Sequence, residues 1–185
     1  VGAFFVSGFF GSFMLSANDM SILLSITASI VILFTAGIKD DIVGLSPSLK
    51  LIAEISSAIV FIVLTDIRID NFYGIFGIYE ISTFLSYIFT VFVFIVIINS
   101  YNLIDGIDGL AASVAIIILC HLSYYFYKTG LLVGLLSSSA TIGALLAFLR
   151  FNITKGKRKI FMGDVGSLVV GFILSFTTTM ALSSS

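Results

Sequence analysis

Five aspartates fall in three short polar gaps of an otherwise apolar chain: Asp40 and Asp41, then Asp105 and Asp108, then Asp164. Acids clustered at the ends of lipid-embedded spans mark a functional site by default, because charge beside lipid is costly. Adjacent aspartates can put one carboxylate on a metal and the other on a reacting group, and like charges side by side raise one pKa. The pair Asp40-Asp41 is weak evidence alone, since a solvated loop explains it equally well. The second gap runs from Asn99 through Asn102, Asp105 and Asp108 to Gly109. Its spacing of three puts Asn102, Asp105 and Asp108 on one face of a helical turn. Gly106 and Gly109 leave room for a ligand or a sharp turn. A calcium loop fits poorly, because its ligands alternate and end on a Glu. The third gap joins a basic stretch to Gly163-Asp164-Val165-Gly166-Ser167. Those bases serve equally as a topology signal, yet glycines at a helix start also let backbone N–H groups approach an anion.

Hard oxygen ligands without a Cys or His cluster imply Mg²⁺, with Mn²⁺ as the alternative, and argue against zinc. Mg²⁺ commonly uses one or two carboxylates plus substrate phosphates. Acids flanked by bases on one membrane face therefore point to phosphoryl chemistry on a lipid carrier.

The elements that must position these residues are membrane spans. Of 185 residues, 59% are hydrophobic and 10% charged, against roughly 25% charged in a soluble domain. So short a chain could not bury that many all-round apolar helices in a soluble core. Seven runs approach the ~20 residues that cross a bilayer: Val1–Leu15, Met20–Ile38, Leu49–Leu64, Ile81–Ile98, Leu110–Tyr127, Leu131–Leu149 and Ser167–Leu182. The fold class expected is all-α, a polytopic transmembrane helix bundle. The segment Asp66–Glu80 alternates β-formers with polar residues around glycines and reads as a small hairpin-like external loop.

Span parity puts all three acidic gaps on one side. That side carries Lys39, Lys50, Arg150, Lys155, Lys157, Arg158 and Lys159, and the other carries Arg68 and Lys128. Seven bases against two make the acidic side cytoplasmic by the positive-inside rule. A net charge of −1 gives no reason to expect nucleic acid. Cys120 excludes an internal disulfide and reads as an inert core thiol, and His121 as a packing histidine bonded to a neighbouring hydroxyl. Ser137-Ser138-Ser139, within a span, reads as helix packing. The chain starts at Val1 without Met and stops just after an apolar run, so it reads as one integral membrane domain, 1–185, incomplete at both termini.

The three gaps resemble the polyprenyl-phosphate N-acetylhexosamine-1-phosphate transferases, of the glycosyltransferase family 4 type, over nearly the whole chain. The resemblance rests on Asp40-Asp41 with Leu45 and Lys50 downstream, on Asn99 to Leu110, and on Phe161-Met162-Gly163-Asp164-Val165-Gly166-Ser167. The short spacing from Asp41 to Lys50 resembles the branch that starts O-antigen, teichoic acid and other surface glycans. The resemblance implies transfer from a UDP-N-acetylhexosamine to undecaprenyl phosphate, with release of UMP, at the cytoplasmic face of a bacterial inner membrane. It implies seven of the family's ten or so spans, and it leaves room for a homodimer. It implies catalytic roles for Asp40, Asp41 and Asp164, with Asp164 and Asp40 at the metal. Substrate contacts would come from Lys50, Asn99, Asn102, Asp105, Asp108, Gly163 and Ser167. The family's basic residue before its first glycine-rich helix and its His-containing loop after the Gly-Asp block have no counterpart here. Two other readings are weaker. A CDP-alcohol phosphotransferase needs further spaced acids in the next helix, and Leu110–Tyr127 has none. A cation transporter usually holds its carboxylates near the bilayer midplane, whereas these lie at span ends.

Overall fold

The structure, a computed structural model, describes residues 15–154, 156 and 158–184. Nearly all of the expected first span, Val1–Leu15, lies outside the described residues, as do Lys155 and Lys157 of the basic count. Six long helices make up the described chain: α1 (Ala17–Val43), α2 (Pro47–Thr65), α3 (Thr83–Ile104), α4 (Leu110–Thr129), α5 (Leu132–Asn152) and α6 (Gly163–Ser183). All six are long and apolar enough to cross a membrane. The protein is a polytopic helical bundle, and six described spans stand where the sequence suggested seven.

Caps set several of the boundaries. Ser16 and Asp19 close a capping box at the start of α1, with the Asp19 N–H donating to Ser16 Oγ at 3.2 Å and the Ser16 N–H to Asp19 Oδ2 at 3.1 Å. Ser46 caps α2 just before Pro47, whose missing N–H costs nothing in the first turn. Each such cap contributes about 1 kcal/mol. The helices overrun the hydropathy boundaries. Ala17–Asp19, expected in a connection, belongs to α1. Asp40 and Asp41 lie in the last turn of α1, Asn99 and Asn102 in α3, and Asp164 in the first turn of α6. Hydropathy marks where lipid is, while backbone hydrogen bonding continues wherever the polar side chains find partners.

Helix α6 is the axis. Fully 78% of its apolar stretch is buried within the protein, against 22–44% for the others, and α1, α3, α4 and α5 all pack on it. Lipid removes the hydrophobic drive between helices, so close packing must hold them. At Gly37, a Cβ would sit 2.6 Å from Val165 Cα, so α1 meets α6 almost backbone to backbone. Deeper in, the buried rings of Phe61, Phe94, Phe172 and Phe176 join α2, α3 and α6 with centroids 5.7–6.0 Å apart. Outward faces carry exposed residues such as Phe84 and Leu103, as a lipid-facing surface should.

The Asp66–Glu80 loop is hairpin-like. Asn71 and Glu80 form an isolated antiparallel bridge, and the Phe72 N–H donates to the Tyr79 carbonyl at 2.7 Å. The serine run lies at a helix contact: Ser137 and Ser138 are buried, and Ser139 Oγ meets Ser123 Oγ of α4 at 3.2 Å, while Ser138 Oγ donates back to the Gly134 carbonyl of its own helix at 2.6 Å. Two readings need correction. Cys120 is exposed, not a core thiol. His121 is also exposed, with no hydrogen-bond partner among the described residues. Helix α4 buries only the stripe Ala111, Ala112, Ala115, Leu119 and Phe126, which turns positions 120 and 121 outward. In a bilayer an apolar run need not be core.

Candidate active site

The three acidic gaps meet at one end of the bundle, joined by direct contacts. Lys50, in the first turn of α2, is the centre. Its Nζ lies 3.0 Å from Asp40 Oδ2 on α1 and also ion-pairs with Asp164 Oδ1 on α6. Asn102, near the end of α3, donates from Nδ2 to Asp164 Oδ1 at 2.8 Å and to Ser167 Oγ at 2.6 Å. Side chains of α2 and α3 thus converge on the Asp164 carboxylate of α6, and α1 joins them through Lys50.

Each partner is fixed locally. Asp40 Oδ1 accepts from the Leu45 N–H at 2.7 Å, which folds the α1–α2 connection back over the carboxylate. Asp41 points to α6. It accepts from the Asp164 N–H at 3.0 Å and from the Val165 N–H at 3.5 Å. The helix start that suited a phosphate therefore already holds an anion, the protein's own Asp41, placed at the positive end of the helix dipole. Gly163 makes this fit. Its φ is +67°, and a Cβ there would lie 3.1 Å from Asp41 Oδ2. Ser167 is fully buried and serves to orient Asn102.

The second gap divides. Asp105 sits at the end of α3, partly buried, where burial and then the charge of Asp164 push its carboxyl up to about 6. Asp108 lies in the following turn and pairs with Lys159 Nζ at 2.5 Å, not with the Lys50 cluster. Asn102, Asp105 and Asp108 do not share one helical face, because α3 stops at Ile104. Asn99 also stands apart. One turn deeper than Asn102, it donates to Glu54 Oε2 of α2 and to the Ile95 carbonyl.

Two residues here escaped the sequence reading. Glu54 is the one acid inside Leu49–Leu64, four residues after Lys50, and that lone acid in an apolar run was its signal. Asn152 ends α5, accepts from the Gly109 N–H at 2.6 Å and donates to the Ile160 carbonyl at 3.0 Å. It pins the loop of Asp108 to the loop that leads to Asp164, and nothing in its sequence context marked it.

The donor set suits a hard divalent cation that also binds substrate. Among the described residues, no group of three or more acids, His or Cys could hold a metal alone. Asp40 and Asp164 supply two carboxylates, and Asp164, with a 35% exposed side chain, keeps Oδ2 free of hydrogen bonds from described residues. Two carboxylates plus substrate phosphates is the usual Mg²⁺ arrangement. In this structure the Lys50 ammonium supplies the positive charge between them.

No curated protein matches the chain significantly. Residues 23–182 match the family model of glycosyl transferase family 4, so the match spans all six helices and all three acidic gaps. With most of its length covered by that match, the chain belongs to glycosyl transferase family 4, multi-pass membrane enzymes that transfer a sugar phosphate to a polyprenyl phosphate.

Proposed function

We propose that this protein transfers N-acetylhexosamine-1-phosphate from a UDP-sugar to undecaprenyl phosphate, releasing UMP, as the first step of a cell-surface glycan or cell-wall polymer. The site faces the cytoplasm of a bacterial inner membrane, on the side with the excess of bases. The observation that carries this reading is the convergence of Asp40, Lys50, Asn102 and Asp164 at one end of the bundle.

An oxygen of the lipid phosphate attacks the sugar-bearing phosphorus. The bond to the bridging oxygen breaks, and UMP leaves with that oxygen. Such a transfer is mostly positioning and charge neutralisation. Asp164 and Asp40 would hold Mg²⁺, which supplies charge neutralisation for the diphosphate. Asp40 positions the acceptor phosphate or takes its proton. Lys50 meets phosphate, and Asn102 keeps Asp164 in its rotamer. Asp41 and Gly163 set the first turn of α6. Asp105 and Asp108, with Lys159, border the nucleotide. An apolar groove of about 270 Å³, bordered by Ile30, Leu145, Phe148, Met162, Val169 and Ile173, starts beside this loop and suits a prenyl tail.

The test is UMP release by the complete protein with undecaprenyl phosphate and Mg²⁺ across a panel of UDP-sugars. Lipid-dependent UMP from a UDP-N-acetylhexosamine is expected. Release from another UDP-sugar alone would overturn the sugar assignment, and no release from any would overturn the reaction.

A further inference from the structure

One carboxylate of the bundle has no part in that reaction. Glu54 lies one turn deeper than Lys50 on α2, and only 1% of it is exposed. Asn99 Nδ2 donates to Glu54 Oε2, while Oε1 is buried with no hydrogen-bond partner among the described residues. Leaving such a buried oxygen unmatched is costly. A cation one helical turn away, Lys50, can supply the partner.

Residues four apart are neighbours on a helix face, and Lys50 is four residues before Glu54. Lys50 Nζ here bridges Asp40 and Asp164, the two carboxylates assigned above to Mg²⁺. An ammonium and a divalent ion cannot share that place. Like charges that close repel, and a divalent ion doubles the repulsion. Lys50 must move when the cation binds, and an ammonium left unpaired there would weaken binding.

We propose that Glu54 is a positioning residue: its free Oε1 receives Lys50 Nζ when a divalent cation takes Asp40 and Asp164. Asn99 anchors Oε2 and so holds the carboxylate ready. Before substrate binds, Lys50 then has two stations, and the unmatched oxygen belongs to the one it leaves empty without metal; substrate phosphate draws it from Glu54. The inference rests on the metal reading proposed above.

Mn²⁺ binding to the complete protein in lipid nanodiscs, followed by electron paramagnetic resonance, tests it without turnover. Glu54→Gln keeps an oxygen for Asn99 and removes the charge that meets Lys50. It should weaken Mn²⁺ binding by about fivefold or more, the lower end of coupling between linked sites. Lys50→Gln should tighten binding, and in that background Glu54→Gln should change nothing. Wild-type affinity in Glu54→Gln, or an equal loss with and without Lys50, would overturn the inference while leaving the metal reading intact. Wild-type protein that binds no Mn²⁺, or binds it equally after Asp164→Asn, would overturn both. Should Glu54→Gln not hold its fold in a thermal melt, Glu54→Asp keeps the charge but withdraws it by one methylene, and the same Lys50 coupling decides.

Discussion

Lys50 Nζ stands between Asp40 and Asp164, so one side chain of α2 ties the last turn of α1 to the first turn of α6. Without it two carboxylates face each other. Removing one partner of a buried pair costs about 3–5 kcal/mol. Here Asp164 is a third exposed, which reduces the cost to about 1–3 kcal/mol. Lys50→Met should lower the melting temperature in metal-free detergent, and added Mg²⁺ should restore much of the loss. A variant that melts like wild type without metal would refute the bridge.

Asp41 caps α6 and thereby fixes the backbone that presents Asp164. Asp41→Ala should cost about 1 kcal/mol, as for other N-caps. Asp41→Asn keeps an acceptor oxygen and should recover most of that in the same melting assay. If Asn fares no better than Ala, the hydrogen bond is not what matters.

Asp105 predicts a pH dependence. Its folded carboxyl lies at about 6, above the ordinary 3.8, because burial and the Asp164 charge oppose ionisation. Between those values the folded state holds the proton more tightly than the unfolded state. Stability from this group is therefore present at low pH and is lost as pH rises towards about 6. Melting of wild type and Asp105→Asn from acid to neutral pH should show wild type losing ground across that window and a constant difference above it. Parallel curves throughout would contradict the assignment.

Gly37 tests the helix contact beneath the site. A Cβ there would meet Val165 Cα at 2.6 Å, and backbone cannot swing aside like a side chain. Gly37→Ala should destabilise by about 1–3 kcal/mol, the usual cost of overpacking. It should also reduce turnover, because α6 carries Asp164. Unchanged melting and turnover would mean that α1 and α6 are further apart.

The bundle and the meeting of the three gaps were legible because composition forces helices and parity forces the ends together. Hydropathy placed the spans but stopped short of Asn99, Asn102 and Asp164, which lie inside helices whose ends extend past the apolar core. It could not show that Asp41 would cap α6, since that depends on a contact 123 residues away in sequence. The resemblance implied a substrate contact for Asn99 beside Asn102, yet three residues along α3 put it one turn deeper, against Glu54. Cys120 and His121 were misread because an apolar run does not reveal which of its faces meets lipid.

UMP release by Asp164→Asn in the complete protein, with undecaprenyl phosphate, a UDP-N-acetylhexosamine and Mg²⁺, tests the central claim most directly. The exchange removes one charge and keeps the shape at the point where Lys50 and Asn102 converge. Turnover should fall by about 100-fold or more, as when a group aimed at developing charge is lost, while the outward-facing His121→Ala stays near wild type. Wild-type turnover in Asp164→Asn would contradict the account.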